Sequence, residues 1–153
     1  METLYPFLNM NSETDQVKVL LVEDNLLGRE IAFSMLEDLG YKSRSAENGF
    51  AALQMLENES FDLVLMDVEM PVMNGISTTK QIRLKYGNKI PVIALTAHDS
   101  PGEQEKCLAA GMNACLVKPL EEKKLRAIVA QQLECRMNVE IENKNDAHAV
   151  ASG

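Results

Sequence analysis

Short apolar runs, each followed by a charged or hydroxyl-bearing residue, alternate with stretches of helical periodicity along this chain, and that alternation limits the fold more than any other feature. Runs of about four to eight residues rich in valine, isoleucine and leucine are typical of strands buried on both faces of a parallel sheet. With one weaker segment at 41–45, they predict strands over 17–22, 41–45, 61–66, 90–95 and 114–117.

The segments between these runs have the spacing of amphipathic helices. In the first, Leu27, Ile31, Met35 and Leu39 mark one face, and Gly40 supplies a helix stop. The pattern predicts helices over 27–39, 75–85, 101–110 and 121–136, and a further helix that begins at 48–49. Strands and helices that alternate in this way indicate an α/β fold, in which right-handed crossovers place helices on both faces of a parallel sheet.

The chain has 153 residues, of which 46 % are hydrophobic, so one domain with a core of its own is expected. We place this domain at 16–137. The residues on either side are mainly polar and lack helical or strand periodicity. We therefore expect a flexible N-terminal segment at 1–15 and a disordered tail at 138–153.

Charge, hydropathy and cysteine usage exclude several classes of protein. The net charge of −8 argues against nucleic-acid binding, which usually requires a basic face. No apolar run approaches the ~20 residues that cross a bilayer, and the N-terminal residues lack the pattern of a signal peptide. Cys107, Cys115 and Cys135 form no CxxC pair and no Cys/His metal motif. We therefore expect a cytoplasmic protein with reduced thiols that binds neither nucleic acid nor membrane.

Four of the predicted strands end in residues of complementary chemistry. These are Glu23 with Asp24, then Asp67, Thr96 and Lys118. The carboxyl ends of parallel strands meet at one edge of the sheet, so these side chains should converge on one crevice. Clustered carboxylates repel one another and need a cation, and oxygen ligands of this kind suit Mg²⁺.

A lysine, a hydroxyl group and a divalent ion beside an acid cluster make a site for a phosphoryl group. Asp67 follows the most apolar strand, and a carboxylate can carry a phosphoryl group as an aspartyl phosphate. Each residue alone is weak evidence, because an aspartate or threonine at a strand end is more often a cap or turn residue. The combination of four strand ends is more specific.

Four segments resemble the receiver domains of response regulators in two-component systems and phosphorelays. They are LLVEDN at 20–25, LVLMDVEMPVMNG at 63–75, ALTA at 94–97 and LVKP at 116–119. The resemblance covers 17–136 and is greatest to the receivers of hybrid histidine kinases. It implies a flavodoxin-like, doubly wound (βα)5 fold with a five-stranded parallel sheet of order 2-1-3-4-5.

The resemblance also implies roles for individual residues. Asp67 would be the phosphoacceptor. Mg²⁺ would be bound directly by Asp24, through water by Glu23, and by Asp67 and the backbone carbonyl of Glu69. The phosphoryl group would come from a histidine kinase or a histidine phosphotransfer protein.

On the same basis, Thr96 would bind the phosphoryl oxygens and move toward them, and Lys118 would pair with them and with Asp67. Pro119 would follow a cis peptide bond. Output would pass to an unknown downstream protein by contact, so the chain would not be an enzyme with an external substrate.

The sequence departs from the family pattern in two places, and a histidine has an open role. Cys115 stands where receivers commonly carry an aromatic switch residue, and Gly28 stands where relatives often have asparagine. His98 either tunes the lifetime of the phosphorylated state together with Glu69 or is a solvated loop residue.

Other functions stay open. An aspartyl-phosphate phosphatase would often carry a second aspartate where Glu69 stands, and it would have a cap domain. A receiver that is never phosphorylated and only binds partners would usually lack one of the conserved site residues. The chain could also correspond to one module of a hybrid kinase, although its initial methionine and its tails favour a small complete protein.

Overall fold

A computed structural model describes residues 16–136, in which strands and helices alternate. They are β1 (Lys18–Val22), α1 (Leu26–Asp38), β2 (Lys42–Ala46), α2 (Gly49–Asn58), β3 (Leu63–Asp67), α3 (Gly75–Tyr86), β4 (Val92–Thr96), α4 (Pro101–Ala109), β5 (Ala114–Val117) and α5 (122–136). The strands form one parallel sheet in the order β2-β1-β3-β4-β5, which confirms the α/β class and the strand order that the resemblance implied. The segments expected to be flexible or disordered, 1–15 and 138–153, lie outside the described residues.

The first four strands begin one or two residues later than the apolar runs predicted, and β5 begins at 114 as predicted. Ile90 and Pro91 precede β4, because a proline has no N–H to give to the ladder. The carbonyl of Pro91 nevertheless accepts a hydrogen bond from the Val64 N–H at 2.9 Å. The loop before β3 is held by Asp62, whose carboxylate accepts the Lys18 N–H at 2.9 Å.

The sheet has a separate hydrophobic core on each face, and β3 and β4 are buried along their whole length. One core contains Leu21, Leu65 and Leu95 of the sheet, covered by residues of α1 and α5 such as Leu36 and Leu125. The other lies under α2, α3 and α4. Each fully buried side chain of this size stabilises the fold by about 1.5–3 kcal/mol. Among the described residues, no helix is long and apolar enough to span a bilayer.

Four helices begin immediately after a loop at the carboxyl edge of the sheet, each with a polar N-cap. The caps are Asn25, Asn48, Asn74 and Ser100, whose side chains accept the backbone N–H groups of Gly28, Ala51, Ser77 and Glu103. Such caps satisfy donors that the first helical turn leaves unpaired. They hold the strand-to-helix loops in place, and the polar residues at the strand ends lie in or beside these loops.

Candidate functional site

The carboxyl edge of the sheet brings three carboxylates together. Glu23 and Asp24 follow β1, and Asp67 ends β3. One oxygen from each of the three lies within 4.8 Å of the others. Glu23 and Asp67 are only 2 % and 3 % exposed, whereas Asp24 is exposed to solvent. The cluster is therefore buried on one side and open on the other.

Lys118 supplies a positive charge to this cluster. Its Nζ lies 2.8 Å from Glu23 Oε2 and 3.4 Å from Asp67 Oδ1. Its backbone N–H donates to the Thr96 carbonyl at 2.7 Å, which ties the end of β5 to the end of β4. The Lys118–Pro119 peptide bond is cis, as predicted. In this described cluster, one lysine thus pairs with two of the three acids.

The backbone of Asp67 lies in close contact with Gly75, the first residue of α3. A Cβ at Gly75 would lie 2.2 Å from the Asp67 carbonyl oxygen, so only glycine allows α3 to begin there. The Gly75 N–H donates to the Val68 carbonyl at 3.1 Å, and the Glu69 N–H donates to Asp67 Oδ1 at 3.1 Å. The Asn-Gly pair before a helical run was the available sequence signal, but it does not reveal contact with Asp67.

The carboxylates and the lysine shift one another's pKa. Burial, followed by the hydrogen bond and charge of Glu23, raises the pKa of Asp67 from 3.8 to about 7. Burial also acts to raise the pKa of Glu23, but its hydrogen bonds with Lys118 and Asp67 outweigh burial and lower it. For Lys118, burial acts to lower the pKa, but the hydrogen bond to Glu23 and the charges of Asp67 and Glu23 together outweigh burial, so that the pKa rises. Near neutral pH, Asp67 needs either a proton or a further cation.

The Thr96 hydroxyl is hydrogen-bonded within its own loop. Thr96 is 1 % exposed, and its Oγ1 accepts the His98 N–H at 3.1 Å and donates to the His98 carbonyl at 3.4 Å. The His98 ring in turn places Nε2 2.9 Å from Glu69 Oε1, and both side chains are more than half exposed. His98 therefore joins the loop after β4 to the loop after β3.

A cleft of about 640 Å³ opens over the acid cluster and has a partly apolar wall. Leu27 and Ile31 of α1 are 67 % and 44 % exposed and line this wall, together with Pro119 and Leu120 from the opposite loop. The cleft therefore combines buried acids with apolar side chains at its mouth. Asn25, which sequence reasoning did not single out, orients Glu23 by donating its backbone N–H to Oε1 at 3.3 Å.

The donor set fits a hard divalent cation. Carboxylate oxygens are the ligands that Mg²⁺ prefers, and Mg²⁺ retains waters where protein ligands do not surround it. Glu23 and Asp67 provide buried oxygens, and the exposed Asp24 leaves one side open for further ligands. Burial, followed by the hydrogen bond and charge of Glu23, raises the pKa of Asp67, and a cation bound here would favour its ionised form.

Comparisons of the sequence point to one family. The family model described as "Response regulator receiver domain" matches residues 19–130. The sensor histidine kinase GacS of Pseudomonas protegens is 40 % identical over 116 residues, which are 73 % of this chain and 13 % of the relative. The sensor histidine kinase RcsC of Escherichia coli is 38 % identical over 109 residues, which are 71 % of this chain and 11 % of the relative. The chain therefore spans only a small part of these relatives.

Solved structures give the same result. The receiver domain of sensor histidine kinase PA1611 from Pseudomonas aeruginosa, with a magnesium ion coordinated in its active site cleft, matches with a TM-score of 0.72 and 38 % identity over 78 % of this chain and 98 % of that chain. A second match, with TM-score 0.67 and 30 % identity, is the co-crystal structure of the Saccharomyces cerevisiae phosphotransfer protein Ypd1 and the receiver domain of Ssk1, over 72 % and 83 % of the chains.

Proposed function

Since this chain belongs to the response regulator receiver domain family, we propose that it is a phosphoacceptor switch whose phosphorylation on Asp67 depends on Mg²⁺. The observation that carries the proposal is a buried Asp67 carboxylate with two further carboxylates within reach and Lys118 Nζ 3.4 Å from Oδ1. The receiver domain would extend over 16–137. It would act in the cytoplasm, within a two-component system or a phosphorelay.

Within this proposal, four residues hold the metal ion. Asp24 binds it directly, Glu23 binds through water, and Asp67 and the backbone carbonyl of Glu69 complete the protein ligands. When bound, Mg²⁺ supplies positive charge that neutralises the carboxylates and the phosphoryl oxygens. The short contact of Glu23 Oε2 with Lys118 Nζ, 2.8 Å, supports an indirect role for Glu23 because that oxygen is already engaged.

The phosphoryl transfer requires an ionised Asp67. One carboxylate oxygen attacks the phosphorus of a phosphohistidine, a P–O bond forms, the P–N bond breaks, and the imidazole leaves with its electron pair and takes up a proton. A pKa of about 7 without metal means that part of the population is protonated and unreactive near neutral pH. Lys118 lies close enough to Oδ1 to pair with the phosphoryl oxygens as they arrive.

The donor and the recipient of the signal would both be proteins. Exposed Leu27 and Ile31 border the acid cluster, and an apolar rim beside a reactive centre suits protein docking better than capture of a small polar molecule. The similarity to receivers of hybrid kinases, and to a receiver crystallised with Ypd1, supports a histidine kinase or a histidine phosphotransfer protein as the donor. Output would pass by contact to a downstream protein.

Thr96 would carry the switch. In the described conformation its hydroxyl accepts the His98 N–H and donates to the His98 carbonyl, so donation to a phosphoryl oxygen requires that the second of these bonds break. A hydrogen bond to a charged acceptor contributes about 1.5–3 kcal/mol, which can shift a two-state loop roughly tenfold or more. Movement of Thr96 would therefore release the loop that His98 joins to Glu69.

Intact mass measured after incubation with acetyl phosphate tests the proposal. We expect one phosphoryl group on the wild type with Mg²⁺ and none with EDTA, because the cluster needs a cation to admit a phosphoryl anion. Asp67→Asn should remove the mass shift. Asp99→Asn, which changes an exposed acid on the loop after β4, should retain it.

A full mass shift in Asp67→Asn would rule out the assigned phosphoacceptor. A wild type that stays unmodified with acetyl phosphate and with phosphorylated phosphotransfer domains, yet binds those domains, would favour a receiver that works only by contact. Steady turnover of an added phosphomonoester would favour the phosphatase alternative.

A further inference from the structure

Gly28 occupies a position at which helical structure alone does not require glycine. It is the third residue of α1, and its N–H donates to Asn25 Oδ1 at 2.8 Å as part of an ordinary N-terminal cap. Its backbone is not in the left-handed region that favours glycine. Glycine is among the poorest helix formers, so alanine would normally stabilise this turn. Neither the helix nor the backbone conformation explains the residue.

The space around Gly28 does explain it. A Cβ at this position would lie 3.2 Å from Glu23 Cδ and 3.4 Å from both Cγ and Oε2. The first distance is shorter than nine in ten real Cβ contacts, so the Glu23 side chain would have to shift by a few tenths of an ångström. Gly28 thus lets the Glu23 carboxylate lie against the first turn of α1, where the helix N-terminus favours negative charge.

Glu23 cannot shift without loss, because several groups hold it. It is 2 % exposed, its Oε2 accepts from Lys118 Nζ at 2.8 Å, and its Oε1 accepts from the Asn25 N–H at 3.3 Å. The same carboxylate belongs to the acid cluster with Asp24 and Asp67. A displacement at Glu23 therefore reaches the residues that face the cluster, although Gly28 has no side chain of its own.

We propose that Gly28 is a positioning residue for the metal site of this chain: where relatives often have asparagine, the missing side chain leaves the space in which Glu23, as this structure places it, reaches both Lys118 and the acid cluster. This inference rests on the proposed function of the cluster as a Mg²⁺ site. It predicts that a methyl group at position 28 weakens Mg²⁺ binding through Glu23 and leaves the rest of the fold unchanged.

The chain offers a matched control for this substitution. Gly102 is the second residue of α4, its backbone is also outside the left-handed region, and a Cβ there would meet no atom within 4 Å. Gly102→Ala therefore makes the same chemical change near the start of a helix without touching a neighbour. Any effect of Gly28→Ala that Gly102→Ala lacks comes from the surroundings of Gly28.

The experiment is a Mg²⁺ titration of the full chain followed by amide chemical shifts, with thermal melting in EDTA as a check of folding. We expect Gly28→Ala to bind Mg²⁺ about threefold to fivefold more weakly than wild type, below the roughly tenfold loss typical when an outer ligand is removed. Gly102→Ala should bind as wild type does. Both alanine variants should melt cooperatively.

A double-mutant cycle separates positioning from a general disturbance. Glu23→Asp shortens the side chain and withdraws it from position 28, so it should weaken Mg²⁺ binding less in the Gly28→Ala background than in wild type. Equal binding by Gly28→Ala and Gly102→Ala would overturn the inference, as would additive effects in the cycle. A wild type that binds no Mg²⁺ would overturn the proposed function as well, so the two failures are distinguishable.

Discussion

Charged side chains at the two edges of the parallel sheet differ in how fully they are paired. At the carboxyl edge, Lys118 pairs with Glu23 and Asp67, and the exposed Asp24 completes the acid cluster. At the amino edge, by contrast, the guanidinium of Arg83 is surrounded by acceptors. It donates to the carbonyls of Gly111 at 2.8 Å, Gly87 at 3.0 Å and Ile90 at 2.8 Å, and to Asn113 Oδ1 at 2.8 Å.

Asp62 shows the same pattern at the amino edge. Its carboxylate accepts the Lys18 N–H at 2.9 Å and pairs with Arg136 at 3.0 Å. Nearby, Lys18 and Arg44 both pair with Glu59. The charges at this edge therefore have partners from several elements, which include the start of β1 and the end of α5.

This contrast separates stability from function. A charge that is fully hydrogen-bonded holds loops and strands together, whereas uncompensated acids destabilise the folded chain unless they serve a ligand. The raised pKa of Asp67 shows that an ionised carboxylate is unfavourable at the carboxyl edge. Substitutions at the amino edge should therefore change unfolding, and substitutions at the carboxyl edge should change Mg²⁺ binding and phosphorylation.

The largest effect on stability is expected from Arg83→Ala. It removes four hydrogen bonds and leaves partly buried carbonyls without a donor, so the free energy of unfolding should fall by about 2–4 kcal/mol. Urea unfolding measures this. Lys80→Ala, an exposed change on the same helix, should stay within about 0.5 kcal/mol. A loss below about 1 kcal/mol for Arg83→Ala, or a loss of phosphorylation in its folded state, would contradict the contrast.

The second prediction concerns pH. The pKa of Asp67 is raised from 3.8 to about 7 in the folded chain, so the folded state holds this proton more tightly than the unfolded state does. Stability from this group is complete below about pH 4 and is lost as the pH rises through about 7. After allowance for solvent access to the cleft, the loss should be roughly 1–3 kcal/mol.

Urea unfolding in EDTA across this pH range, for wild type and Asp67→Asn, measures that loss. The wild type should lose stability relative to Asp67→Asn as the pH rises, and saturating Mg²⁺ should restore it. If the free energy of unfolding changes with pH in the same way for the two chains in EDTA, ionisation of Asp67 does not destabilise the folded chain, contrary to this prediction.

The third prediction compares the two acids that follow β1. Asp24→Ala should weaken Mg²⁺ binding roughly a hundredfold and Glu23→Ala roughly tenfold, because a direct ligand contributes more than one acting through water. Titration of both variants by amide chemical shifts measures this. Glu121→Ala, which changes an exposed acid immediately before α5, serves as the control and should bind as wild type does. Equal losses for Asp24→Ala and Glu23→Ala would contradict the assigned roles.

The smallest effect should appear in hydrogen exchange with a phosphoryl mimic such as beryllofluoride. Cys115 lies where an aromatic switch residue is common, and it cannot fill and vacate the same space. The signal should therefore travel through 97–102, whose amides should change exchange rates roughly tenfold. The amides around Cys115 should change little. A large change there with a silent 97–102 would contradict this route.

The sequence by itself determined the alternation of strands and helices and the chemistry of the strand ends. The apolar runs that form β3 and β4 are buried at every residue, so they carried a strong signal. β2, with the sequence KSRSA, carried a weak one because an edge strand is buried on fewer sides. Which strands pair came only from the resemblance, since periodicity contains no information about neighbours in a sheet.

The tertiary structure decided how the predicted residues meet. Lys118 pairs with Glu23 across 95 residues of sequence, and no local pattern specifies that pairing. The Thr96 hydroxyl bonds to the backbone of His98, a partner that the residue type does not specify. The contact of Gly28 with Glu23 depends on tenths of an ångström between α1 and the end of β1. Such distances result from packing of the whole domain, which residue type and spacing do not encode locally.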